Sequence, residues 1–339
     1  MMKIYISILV LILCLACEKD PTIPLGKGNF PNIATTDISA IIGSTALSGV
    51  QINSIPTNYI LQEKGICWAL SPNPTPENHS FSISPSANGE ITLRDLIPST
   101  KYYARAYGKF NNTYYYGPEV SFTSANQDVS LINGLVSYFP LNGSTEDFSS
   151  SKNNMTGNVM FGTGRKGIKN TAASFNGTSS YYLRVASPIN LPTGNSPYTM
   201  SFWFYSNNWN MSAALGGYGS SNVNFASNYI KTITSTGFNH YHWSFDRDIA
   251  SGPFPNTWTH LVVTYDGSSE KYYINSTYRF LWDHPTVKLS INPTVMSLGC
   301  RISLPPSSGV LEFFNGYIDE FRIYNRALSQ SEITTLYNY

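Results

Sequence analysis

The sequence predicts an all-β chain built from two sandwiches in tandem, closed by one short C-terminal helix. Composition is the first sign. Charged residues are 12% of the chain and aromatics 14%, with 24 Tyr, a balance that suits pleated, half-buried surfaces better than helix bundles. The second sign is rhythm. From residue 30 onward, short runs of apolar and β-branched residues alternate with clusters of Gly, Pro, Asn and Ser, the pattern of strands and turns. The third is length. A chain of 339 residues is enough for two domains, and the polar stretch 126–132 offers a boundary. A net charge of +1 gives no basic footprint, so nucleic acid is not an expected partner. Abundant Tyr also suits surfaces that meet neutral sugars, although Tyr and Thr are ordinary in β-sandwiches.

At the N-terminus, Lys3 precedes an apolar run over residues 4–16. The run is too short to span a bilayer and has the layout of a secretory signal. It ends Cys14-Leu15-Ala16-Cys17, which resembles the bacterial lipobox with Cys14 in place of the usual Leu. The resemblance implies a signal peptide at 1–16 and lipidation of Cys17, hence membrane attachment through acyl chains. Glu18-Lys19-Asp20 resembles the export signal of Bacteroidetes surface lipoproteins, implying an outer membrane lipoprotein exposed on the cell surface. Residues 17–29, rich in Pro and Gly, read as a tether. Cys67 and Cys300 fall in different expected domains and are expected to stay unpaired as small apolar residues.

The first domain is expected over 30–125. Gly65-Ile66-Cys67-Trp68-Ala69-Leu70 reads as a strand, stopped by Ser71-Pro72-Asn73-Pro74, because prolines so close together cannot continue a central strand. In Tyr102-Tyr103-Ala104-Arg105-Ala106-Tyr107 the alanines suit a packed face, and Tyr103, Arg105 and Tyr107 a half-exposed one. Gly108 to Gly117, with Tyr114-Tyr115-Tyr116, reads as a hairpin. The run Leu96 to Tyr107 resembles fibronectin type III domains, apart from the extra Ile97. The resemblance implies a spacer module, with Trp68 in the core and Tyr102 near the tyrosine-corner place.

The second domain is expected over 133–339. Its closing stretch reads as a strand from Tyr317 to Tyr324 after a turn at Gly316. Strict alternation puts Tyr317, Asp319, Phe321 and Ile323 on one face and Ile318, Glu320, Arg322 and Tyr324 on the other. A helix follows, with Ser329 and Glu332 as a capping box and Leu328 and Ile333 at the staple positions. Gly134-Leu135-Val136-Ser137-Tyr138-Phe139-Pro140, Phe175-Asn176-Gly177, Ser201-Phe202-Trp203 and Trp258-Thr259-His260 through Tyr265-Asp266-Gly267 come in the order seen in LamG-like, concanavalin A-like jelly rolls, which the domain resembles. The resemblance implies a two-sheet lectin-type sandwich in which Trp203, Trp258 and His260 are structural.

Two candidate sites stand out. Asp147, Asn176 and Asp319 lie in segments that meet in LamG-like sandwiches, and they are the expected calcium ligands, since calcium takes carboxylate and carbonyl oxygens. An inward Asp319 needs some partner, and backbone amides or Arg would also serve. In the run 239–248, His240 and His242 share a face with Ser244, Asp246 and Asp248. Two His at i, i+2 suit a transition metal, but the pattern also fits a solvated strand face over a buried aromatic one, the reading adopted here. His240 and His242 with Trp209, Trp243 and Trp282 are the expected ligand-binding residues for a glycan. Catalytic signatures (G-x-S-x-G, H-E-x-x-H, Walker A, the dinucleotide fingerprint, the laminarinase E-x-D-x-x-E) are absent from the sequence. The expected function is non-catalytic carbohydrate binding on a lipid anchor. Binding of a surface protein is the alternative and a diverged glycoside hydrolase the distant one.

Overall fold

The computed structural model describes residues 30–339 except 43, 84–89, 127–128, 210–211, 221–222, 234–236, 251, 253 and 304–308. The expected signal peptide, Cys17 and the tether lie outside the described residues. Among the described residues the fold is all-β apart from the single turn Val129–Ile132 and the terminal helix Gln330–Asn338.

Residues 32–123 fold as two packed sheets. In one, Thr45–Ser54 pairs with Asn32–Thr35, Ser39–Ile42 and Glu90–Leu93. In the other the order is His79–Ile83, Leu61–Ala69, Lys101–Phe110, Thr113–Tyr116, with Val120–Thr123 also on Lys101–Phe110. Trp68, Ala104, Ala106, Tyr102 and Phe110 line the core between them. The Tyr102 hydroxyl accepts from the Ile97 amide at 2.9 Å. Tyr107 is fully buried, not half-exposed as expected. The tyrosine hairpin explains the difference. Tyr114 packs on Tyr107, Tyr116 lies under the Arg105 guanidinium at 3.7 Å, and Tyr107 donates to Glu63.

Residues 135–324 form a larger sandwich. Its front sheet runs Met160–Gly162, Ala172–Asn176, Asn315–Tyr324, Tyr198–Ser206, Thr259–Tyr265, Ser269–Ile274, Thr277–Asp283, with Leu135–Phe139 also on Asn315–Tyr324. The back sheet runs Thr156–Asn158, Tyr182–Val185, Met296–Leu298, Ala213–Gly219, Ser227–Ile233, Gly237–Tyr241, Arg247–Ala250. All these pairings are antiparallel. Phe175, Phe202, Phe204, Leu215, Ile230, Phe238, Leu261, Val263, Leu298 and Phe321 fill the space between the sheets. Cys67 and Cys300 are both buried and unpaired.

The closing strand does not alternate strictly. Glu320 has φ +57°, and the register against Tyr198–Ser206 slips between Ser201, opposite Arg322, and Trp203, opposite Asp319. This is a β-bulge, which inserts one residue and re-aims its neighbours. Ile318, Phe321 and Ile323 point inward. Asp319, Glu320 and Arg322 are carried to the outer side, so the expected inward Asp319 is corrected.

That outer side is a buried seam with the first sandwich. Arg165 Nη1 lies 3.2 Å from Asp319 and 3.4 Å from Asp95, and Lys166 Nζ lies 3.1 Å from Asp95. Asn142 donates to the Asp95 carbonyl, and Ile168 packs into the first core. Glu320 pairs with Arg322, whose guanidinium also lies over Tyr138 and Tyr339. The terminal helix, capped by Ser329 and Glu332, buries Ile333 and Leu336. It lays Tyr337 on Trp203, with ring centroids 5.3 Å apart. One end of the front sheet's outer face is thereby covered.

Candidate functional site

The other end of that outer face carries a cross-strand row of aromatic rings. Residues alternate along a strand, so with Phe204 and Ile318 inward, Tyr205 and Tyr317 point outward. Tyr205 stands directly opposite Tyr317, which in turn stands opposite Ser174. Thr259 pairs with Phe204, so Trp258, one residue earlier, falls beside Tyr205. The centroids are 5.8 Å apart for Tyr205–Trp258, 5.9 Å for Tyr205–Tyr317 and 6.3 Å for Trp258–Tyr317. All three rings are half-buried. Gly162 lets the Tyr317 ring lie down. A Cβ there would sit 2.4 Å from Tyr317 Cε1.

A second row, of amides, borders the first. Asn176 is opposite Asn315, and Asn207 Nδ2 donates to Asn315 Oδ1 at 3.0 Å. Asn176 Oδ1 accepts from the Thr178 amide and hydroxyl. Ring faces beside neutral donors and acceptors, with no formal charge in either row, match the alternating C–H and hydroxyl surface of a sugar better than an ionic ligand.

A different constellation lies between the sheets. His240 lies on the back-sheet strand Gly237–Tyr241, His242 one residue past its end, and Glu270 on the front-sheet strand Ser269–Ile274. All three are fully buried. Glu270 Oε1 is 2.8 Å from His242 Nε2 and accepts from Tyr198 at 2.7 Å. Glu270 Oε2 is 3.1 Å from His240 Nδ1 and accepts from Tyr272 at 2.5 Å. Each imidazole is fixed through its far nitrogen: His240 Nε2 to Asn228 Oδ1 at 2.7 Å, His242 Nδ1 to the Ser227 carbonyl at 2.7 Å. Burial, then the two imidazoles, act on Glu270, and the imidazoles prevail, holding its carboxyl well below the usual range. Burial lowers His240, while Glu270 overcomes burial and raises His242. The solvated His face expected from the sequence is therefore corrected. Trp243 and Ser244 both adopt positive φ, so the strand ends before them and the alternation stops, leaving the two His inside.

The expected ligand-binding residues do not share one surface. Trp209 is core, against Phe204 and Phe238. Trp243 packs beside Tyr241 on the outer side of the back sheet, and Trp282 stacks on Phe245 at 4.5 Å. Each of the three expected calcium ligands has partners of its own. Asp147 accepts from the amides of Tyr138, Ser149 and Asn153 at 2.8–2.9 Å. Asp319 faces Arg165, and Asn176 closes its own turn.

The sequence reading missed Tyr205, Tyr317, Glu270 and Tyr272 as site residues, and kept Trp258 as structural. The signal for Glu270 was its spacing, since Glu270, Tyr272 and Ile274 share one strand face. The signal for Tyr205 was its place just after inward Phe204.

Two antiparallel sheets packed face to face over one core define a jelly-roll sandwich. Residues 175–334 match the family model of the concanavalin A-like lectin/glucanases superfamily (laminin G type 3). No curated protein matches the chain. Among solved structures, domain 4 of AbnA, a GH43 extracellular arabinanase from Geobacillus stearothermophilus in complex with arabinotriose, is 21% identical with a TM-score of 0.47, over 60% of this chain and 97% of that one. The binding domain of Paraclostridial Mosquitocidal Protein 1 is 19% identical, TM-score 0.47, over 61% and 52%. The binding domain of botulinum neurotoxin DC, solved with rat synaptotagmin II, is 15% identical, TM-score 0.48, over 62% and 52%. The chain spans about half the length of the two toxin domains. At this level of similarity nothing about a ligand transfers.

Proposed function

We propose that the chain is a non-catalytic carbohydrate-binding protein that takes neutral glycan on the Tyr205–Tyr317–Trp258 row. The observation carrying this is the row itself: three half-buried rings in cross-strand register, bordered by Asn176, Asn207 and Asn315. Sugar rings lie on the aromatic faces, and the amides pair with hydroxyls. The first sandwich serves as a fibronectin type III-like spacer, a reading supported by its strand order and by the Tyr102–Ile97 bond. Cys17 carries the lipid anchor and holds the protein at the outer membrane surface, a reading that rests on the sequence. The adjacent carboxylates Asp319 and Glu320 are committed to Arg165 and Arg322, which supports binding without hydrolysis.

The test is a panel of neutral polysaccharides against the chain, with calcium and with chelator. Trp258→Ala and Tyr317→Ala are expected to weaken binding about tenfold or more each. Tyr278→Ala, on an exposed ring in the last strand of the front sheet, leaves it unchanged. Equal binding by all three variants removes the row as the site. Loss of binding with chelator that calcium, and not zinc, restores returns attention to Asp147. No binding by the folded wild type favours a protein partner.

A further inference from the structure

The buried His240–His242–Glu270 cluster is left unused by sugar binding, and its hydrogen bonds raise a question of charge. The Ser227 carbonyl can only accept, so His242 Nδ1 carries a proton, and the Nε2 lone pair of the neutral ring points at Glu270 Oε1. Asn228 Oδ1 likewise places the proton of His240 on Nε2, and its Nδ1 lone pair points towards Glu270 Oε2. Three Lewis bases thus converge on one point, with all ligand atoms within 4.8 Å of one another. Either a proton on one imidazole or a metal ion must lie among them.

We propose that this cluster is a structural divalent-metal site of the zinc class, with His240 Nδ1, His242 Nε2 and Glu270 as ligands and the Tyr272 hydroxyl at the fourth corner. Two imidazoles select a borderline d-block ion over calcium or magnesium. Each imidazole donates its far N–H to a carbonyl oxygen, the outer-shell arrangement that orients metal-bound histidines. Tetrahedral zinc spaces its N and O donors by about 3.4 Å. The separations here are 2.8 and 3.1 Å to Glu270, and the Tyr272 oxygen is 2.8 Å from His240 Nδ1. An outward shift of a few tenths of an ångström per ligand, on the scale of those spacings, admits the ion. His240 belongs to the back sheet, His242 follows the end of the same strand and Glu270 belongs to the front sheet, so the ion would tie the sandwich together in a chain whose two described cysteines are unpaired. This inference is independent of the aromatic row, which lies on the outer face.

The experiment strips the full chain with chelator and returns Zn²⁺ or Co²⁺ alone. Expected are uptake of about one equivalent, visible Co²⁺ bands of tetrahedral intensity, and a rise in Tm of roughly 5 °C at a hundredfold excess over Kd. Glu270→Gln and His240→Gln lose the uptake and the rise. Absence of uptake by folded, stripped wild type overturns the site, and so does uptake that persists in both variants. Should a variant fail to fold, the wild-type Co²⁺ spectrum decides: weak octahedral bands overturn the assignment. Metal-free protein with unchanged stability would leave protons as the bridging charge, and the proposal would fall.

Discussion

Acidification tests the covered end of the front sheet through one residue. His260 is buried between Trp203, 5.0 Å away by centroids, and Tyr337, and Ser201 Oγ meets its Nε2 at 2.9 Å. Burial, then the nearby Arg165 and Arg322 cations, push its pKa down from 6.5 to about 3. The unfolded chain therefore takes up a proton below pH 6.5 that the folded chain refuses. Stability is intact above that value, falls as pH drops, and stops falling near pH 3, where the folded ring also protonates. At pH 5 the unfolded ring is about 97% protonated and the folded ring almost neutral, which costs about 2 kcal/mol relative to pH 7.5. The assay is urea unfolding at pH 7.5 and pH 5 for wild type and His260→Gln, which keeps an acceptor for Ser201. Other groups titrate in the same window, His240 and His79 downward from their usual values and His242 upward. The difference between the two proteins cancels them. The variant should lose about 2 kcal/mol less than wild type on acidification. Equal losses would mean that His260 protonates in the folded state, hence that water or a carboxylate reaches it and the helix does not seal that face.

Two further substitutions probe the seam and the row. Arg165→Met strands Asp319 against Asp95 and Glu320 in a buried site, with Lys166 still on Asp95. A loss of about 3–5 kcal/mol in urea unfolding is expected, and a loss under about 1 kcal/mol would show a seam open to water. Gly162→Ala drives a methyl into the Tyr317 ring. It should weaken glycan binding several-fold by lifting that ring while changing Tm by about 3 °C or less, and unaltered affinity would show that Tyr317 is not a contact.

The fold was largely legible in the sequence because its signals are local. Turn clusters bound the strands, Ser329 and Glu332 form the cap they suggested, and Trp68 and Tyr102 sit in the first core. What failed depended on backbone events that alternation cannot register. Glu320 in the left-handed region moved Asp319 and Glu320 to the same side of the closing strand. Trp243 and Ser244 at positive φ ended the His strand early and left His240 and His242 inside. The aromatic row was invisible for another reason. Tyr205, Trp258 and Tyr317 are far apart in the chain and meet only through the registers of three strands. Pairwise register is a tertiary fact, and a single sequence shows only the face on which each residue can lie.

The bulge at Glu320 also explains how one sheet face serves two ends. Without the extra residue, strict alternation would keep Asp319 on the side of Phe321 and Ile323, inside an apolar core, where an unpaired carboxylate is costly. With it, Ile318 and Phe321 both stay inward while Asp319 and Glu320 reach Arg165 and Arg322. Tyr317 precedes the bulge, so its outward direction is untouched and it remains in register with Tyr205 and Ser174. The strand thus changes character at a single backbone position. Beyond it the outer side is ionic, buried and committed to the first sandwich and the helix. Before it the outer side is aromatic, uncharged and half-exposed. A ligand for this protein should therefore be sought at the Gly316 end of the closing strand, where uncharged ring faces meet solvent.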